Sequence, residues 1–82
     1  MSKIGLGIVT CDRPDFLSKC IDGIDLSLFE HLVIVNDGKS EVRHNKFHVM
    51  HNKENLGVGK SKNKLLRYLY DHDCDYIFLL ED

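Results

Sequence analysis

Lys3-Ile-Gly-Leu-Gly-Ile-Val-Thr-Cys-Asp-Arg13 reads as a buried strand that runs straight into a polar turn. Alternation puts Ile4, Leu6 and Ile8 on one face and Gly5, Gly7 and Val9 on the other. A strand that is apolar or small on both faces suits the middle of a parallel sheet, where helices cover both sides. The two glycines weaken the strand itself but leave room for a helix to approach closely. After Val9 the character changes at once to Thr10, Cys11, Asp12 and Arg13, and Pro14 stands where a helix can begin. A buried strand that ends in polar side chains beside a helix start is where open α/β sheets place their ligands.

Downstream, Phe16, Leu17, Cys20, Ile21 and Ile24 form a one-sided helical stripe. Asp12 is the expected N-cap, Asp15 complements the helix dipole, and Gly23 ends the helix. His31-Leu-Val-Ile-Val-Asn36 is a second two-sided apolar strand, stopped by Asp37-Gly38 and followed by a charged loop from Lys39 to Asn45. Lys46 to His51 is a shorter, more polar strand, as suits a sheet edge. Asn52 to Leu56 is a turn. A long helix then runs from Gly57 to about Asp71, with Val58, Leu65, Leu66 and Leu69 on its buried side. His72 to Cys74 closes it, and Tyr76-Ile-Phe-Leu-Leu80 is the last and most apolar strand.

The order β-α-β-β-α-β with right-handed crossovers gives a parallel sheet in the order 3-2-1-4, covered on both faces. Its switch point lies between strands 1 and 4, and Thr10 to Arg13, Asp37 and Glu81-Asp82 all end at the carboxyl edge around it.

Composition bounds the function classes. Eighty-two residues make one domain, 1–82, and a chain of this size buries only about 60–65% of its unfolded surface. A net charge of −2 gives no basic face for nucleic acid or anionic lipid. No apolar run reaches the roughly 20 residues of a membrane span, and there is no signal-peptide core. Cys11, Cys20 and Cys74 are odd in number and lack C-x-x-C spacing, which points to reduced thiols and a cytoplasmic protein. The histidines fall at no metal-binding spacing; His48 and His51 lie on opposite faces of a strand.

Gly57-Val-Gly-Lys-Ser61 follows a strand and opens a helix, which invites a phosphate-loop reading and an ATP- or GTP-binding protein. That pattern needs a glycine where this chain has Glu54, whose carboxylate would repel the phosphates. Lys60, Lys62, Lys64 and Arg67 read as a solvated helix face, with Lys60 alone in the first turn and placed to reach the crevice.

Four segments carry a resemblance: Ile8-Val-Thr-Cys-Asp-Arg-Pro14, Ile34-Val-Asn-Asp-Gly38, Asn55-Leu-Gly-Val-Gly-Lys-Ser-Lys-Asn63 and Phe78-Leu-Leu-Glu-Asp82. In this order and spacing, across nearly the whole chain, they resemble family 2 glycosyltransferases. The chain looks like the nucleotide-binding half of their A-type fold, a truncated three-layer α/β/α, half-Rossmann-like sheet. The Cys-Asp-Arg and Glu-Asp elements also resemble N-acetylglucosaminyltransferases built on that fold. The resemblance implies that Thr10 and Cys11 line the pocket for the base of a UDP- or GDP-sugar, that Asp37 accepts a hydrogen bond from it, and that Arg13 meets the diphosphate. A guanidinium fork suits that last task. It implies further that Glu81 and Asp82 hold a divalent cation, Mn²⁺ or Mg²⁺, on the diphosphate.

Two departures qualify the expected activity. There is no aromatic beside Cys11 to stack on the base, and the sequence ends at Asp82, before an acceptor half or a catalytic base. The expectation is therefore a nucleotide-sugar binding unit that is incomplete for glycosyl transfer by itself. The rival reading is a non-catalytic assembly module. In it, the apolar edge strand Tyr76–Leu80 pairs with a second copy or a partner chain.

Overall fold

The computed structural model describes residues 3–81. The four strands are β1 (Ile4–Thr10), β2 (His31–Asn36), β3 (His48–His51) and β4 (Tyr76–Glu81), and the two helices are α1 (Pro14–Asp22) and α2 (Val58–Asp71). A short 3-10 turn, Leu26–Leu28, precedes β2. All neighbouring strands are parallel and their order is β3-β2-β1-β4, as the sequence predicts. This is a Rossmann-like α/β arrangement.

The register places β1 between β2, with Leu6 opposite Leu32, and β4, with Leu6 opposite Phe78. Side-chain alternation then sorts the core into two halves. Leu6, Ile8 and Ile34 pack with Leu17 and Ile21 of α1 on one face. Val9, Val33 and Val35 pack with Leu65 and Leu69 of α2 on the other. The helices therefore lie on opposite sides of the sheet, which makes three layers.

The glycines of β1 explain how closely α2 sits. A Cβ built on Gly5 would lie 2.7 Å from Leu69 Cδ2 and 2.8 Å from Cys74 Sγ; one on Gly7 would lie 3.1 Å from Leu65 Cδ1. Any larger residue would push α2 away from the sheet.

Several local expectations change. Asp12 is not the N-cap of α1: Arg13 occupies that position without a side-chain bond, and Asp12 adopts a left-handed backbone, φ 55°. Proline disfavours helical geometry in the residue before it, and Arg13, at φ −132° and ψ 63°, is non-helical. Phe16 and Val58, both placed on apolar stripes, are 62% and 48% exposed. Each lies in the first turn of its helix and faces solvent, whereas Leu17, in the same turn of α1, is buried. Conversely, the charged 39–45 loop drops Val42 into the α1-side core, and Phe47 follows it just before β3. β3 begins at His48 rather than Lys46, and β4 extends one residue further, to Glu81.

Candidate functional site at the carboxyl edge

Three loops leave the carboxyl edge of the sheet: 11–13 after β1, 37–47 after β2 and 52–57 after β3. Polar side chains lace them together. Asp37 is the centre. Its backbone N–H donates to the Thr10 carbonyl at 2.9 Å, continuing the β1–β2 ladder past its last strand pair. Its carboxylate, in a residue only 5% exposed, accepts three hydrogen bonds. Asn52 Nδ2 (2.8 Å) and the Leu56 N–H (2.7 Å) donate to Oδ1, and the Gly57 N–H (2.9 Å) donates to Oδ2. Gly57 has φ 87°, a conformation glycine adopts without strain, and this turns its N–H inward. Burial alone would push the Asp37 carboxyl up. The Leu56, Asn52 and Gly57 donors and the nearby Lys64 charge outweigh it and hold the group below its ordinary value, so Asp37 is an anion.

Asn52 extends the network. Its N–H donates to the Asn36 carbonyl, its Nδ2 also reaches the buried Ser61 Oγ at 3.2 Å, and its Oδ1 accepts from Lys64 Nζ. Asn55 Nδ2 donates to the Asp37 carbonyl at 3.3 Å and approaches Cys11 Sγ at 3.7 Å. Asn36 folds the 38–40 turn back on itself, accepting from the Gly38 N–H and donating to the Ser40 carbonyl. Asp12 closes the third side: its Oδ1 accepts the N–H groups of Lys39 (2.7 Å) and Ser40 (2.8 Å). The bonds from Ser40 and Lys39 hold the Asp12 carboxyl below its ordinary value too.

These loops enclose a crevice of about 120 Å³ between Asp12, Asp37, Gly38, Asn52 and Asn55. A more open hollow of about 480 Å³ adjoins it and reaches Asn36, Ser40 and His51. The larger volume falls in the ~300–1,000 Å³ range of small-molecule sites. Lys39 and Lys53 border both. The smaller crevice lies over the ends of β1, β2 and β3 and the larger hollow over β2 and β3, so both sit to one side of the expected β1–β4 switch point, and Thr10, Cys11, Arg13, Lys60 and Glu81 line neither.

Thr10, Cys11 and Asp37 are thus brought together, Thr10 buried at the end of β1 and Cys11 exposed beside Asn55. Arg13 is exposed, its guanidinium 5.8 Å above the Phe16 ring. Lys60 is exposed in the first turn of α2. Glu81, opposite Val9 in the register, is ion-paired with Lys62 across the β4–α2 gap. Asp82 lies outside the described residues. Among the described residues no group of three or more His, Cys, Asp or Glu side chains assembles in a way that could hold a metal ion.

The functionally placed residues that sequence reasoning missed are Asn36, Asn52 and the acceptor role of Asp12. The only local signal was the density of Asn and Asp between residues 36 and 55, residue types that bond neighbouring backbone in turns.

The arrangement also bears on the Gly57–Ser61 segment. The Leu56 and Gly57 N–H groups, which a phosphate-cradling loop would turn toward its ligand, are bonded to the Asp37 carboxylate. An internal anion already sits ahead of α2.

No helix of the described residues is long and apolar enough to cross a membrane. Comparison with protein-family models, with curated proteins and with solved structures finds no significant match in any of the three.

Proposed function

We propose that this chain is a glycosyltransferase-like binding unit for a nucleoside diphosphate or nucleotide sugar, UDP- or GDP-linked. The observation that carries the reading is Asp37. A buried carboxylate is fixed at the carboxyl edge of a doubly covered parallel sheet and borders the crevice. A carboxylate offers about four acceptor positions, and three are used internally. The position left on Oδ2 suits one base N–H. Thr10 and Cys11 stand beside it, and Arg13 would reach a diphosphate only by leaving Phe16. Lys60, one turn into α2, is the remaining cation assigned to the phosphates.

The expected Mn²⁺ or Mg²⁺ fits the described donors poorly. Glu81 supplies one carboxylate and it is paired with Lys62, so the described residues do not build a cation site. A cytoplasmic location belongs to the same reading and rests on three unpaired cysteines, one of them exposed.

Equilibrium dialysis against UDP and GDP, with and without Mg²⁺, tests the reading. Binding that Asp37→Asn weakens supports it; absence of binding at millimolar nucleotide overturns it.

The assembly reading is favoured by one observation of its own. β4 is an edge strand, and Tyr76 and Phe78 on it are 60% and 54% exposed, with Phe29 packed edge-on against Phe78 at 5.8 Å. Unpaired strand edges of this kind recruit other strands. A homo-oligomer or partner complex formed through Tyr76–Leu80 would appear in sedimentation as a concentration-dependent species that Phe78→Glu abolishes. A strict monomer at high micromolar concentration contradicts it.

A further inference from the structure

The residue after Cys11 has no assigned part in nucleotide binding, yet its geometry is unusual. Asp12 is one of two non-glycine residues with positive φ among those described, and the other, Asp73, lies in the turn before β4. Left-handed backbone costs an ordinary residue about 1–2 kcal/mol, less for Asp and Asn. Here it aims the carboxylate across the crevice, where a single oxygen receives both the Lys39 and Ser40 N–H groups from 27 and 28 residues away. The fit on the far side is equally tight: a Cβ on Gly38 would lie 2.6 Å from both Asp12 N and Asp12 Oδ1. The 38–40 turn is therefore held between Asn36 on its inner side and Asp12 on its outer side. That turn forms one wall of the crevice and directly follows Asp37.

We infer that Asp12 is a positioning residue of the nucleotide crevice. It latches the loop after β1 to the turn after β2, so that Asp37 and the 38–40 wall are preset before the ligand arrives. The inference rests on the nucleotide-binding reading above. A wall fixed in advance loses less conformational freedom on binding, which is how an untouched residue changes affinity.

The chemistry of the latch selects the variants. Asp12→Asn keeps an oxygen that can accept both N–H groups and tolerates left-handed backbone; Asp12→Gly keeps the backbone without cost but removes the acceptor. Asp12→Ser, with a shorter side chain, is a second removal should the glycine variant not fold.

The experiment uses isotope-labelled protein, amide NMR and UDP with Mg²⁺ as the probe. Without nucleotide, the Lys39 and Ser40 amide signals of the wild type should titrate in the acidic range, and the titration should vanish in Asp12→Asn. With UDP, Asp12→Gly or Asp12→Ser should bind about tenfold more weakly, and Asp12→Asn should stay close to wild type. In the nucleotide-free proteins the Leu56 and Gly57 signals, which report the separate Asp37 clamp, should match the wild type in all of the variants. Lys39 and Ser40 amides that ignore pH overturn the latch. Wild-type affinity in a folded Asp12→Gly protein overturns the positioning role while leaving the nucleotide reading intact. A wild type that binds no UDP overturns the nucleotide reading, and the positioning role with it.

Discussion

Asp37 and Gly57 are 20 residues apart in sequence, yet the Gly57 N–H donates to Asp37 Oδ2 at 2.9 Å. With the Leu56 bond beside it, this contact joins the end of β2 to the start of α2 and fixes where the second half of the fold begins. The clamp does two jobs: it satisfies the N–H of Gly57, the N-cap residue of α2, and it holds a carboxylate in the crevice wall.

The clamp should be visible in stability. Asp37→Ala leaves the Leu56 and Gly57 N–H groups and one Asn52 donor without their acceptor. A buried polar group left unsatisfied costs about 1–3 kcal/mol. Urea unfolding should register a loss in that range, and Asp37→Asn, which still accepts through one oxygen, should lose less. A change within the scatter of surface substitutions would show that the clamp carries no stability.

Acid should loosen the same contacts. Asp12 and Asp37 are both held below the ordinary carboxylate value of 3.8 in the folded chain, so near that pH the unfolded chain binds more protons. Their stabilisation is complete well above 3.8 and drains away as pH falls through the lower folded values. Thermal unfolding followed from neutral pH downward should show a falling midpoint, and Asp37→Asn should flatten the fall. An unchanged slope in the variant would assign the acid sensitivity elsewhere.

The glycines should separate by the room around them. Gly5→Ala drives a methyl into Leu69 and Cys74 and should cost about 1–3 kcal/mol; Gly7→Ala, facing Leu65 at 3.1 Å, should cost less. Gly59, with nothing within 4 Å of its built Cβ, lies inside α2. Gly59→Ala should stabilise by about 0.4–1 kcal/mol. Denaturant midpoints of the three variants check the ranking, and a Gly5→Ala protein as stable as Gly59→Ala would contradict the close approach of α2.

The sheet was legible because its strands declare themselves. Ile4–Val9 and Leu32–Val35 are apolar on both faces, which only a helix-covered parallel sheet accommodates, and handedness then orders the strands. Gly5 and Gly7 announced the helix that packs on them. The site was less legible because its key bonds are tertiary. Asp12 before Arg-Pro has the local signature of a helix cap, and nothing near it in sequence reveals that its carboxylate bonds Lys39 and Ser40. Val42 was hidden for a related reason: one apolar residue in a charged loop has no period to betray that it is buried. Phe16 and Val58 show the converse, since a helical stripe does not reveal which of its apolar members turn to solvent.

Nucleotide binding is tested most directly by titrating isotope-labelled protein with UDP in the presence of Mg²⁺ and following amide chemical shifts. Shifts should cluster at Thr10 to Arg13, at Asp37 and at Asn55 to Gly57, in which Asp12, Asp37 and Asn55 line the crevice and the others flank them. Amide signals that stay in place at millimolar nucleotide, or that move only along Tyr76 to Leu80, would contradict binding at the crevice and direct the search for function to the β4 edge.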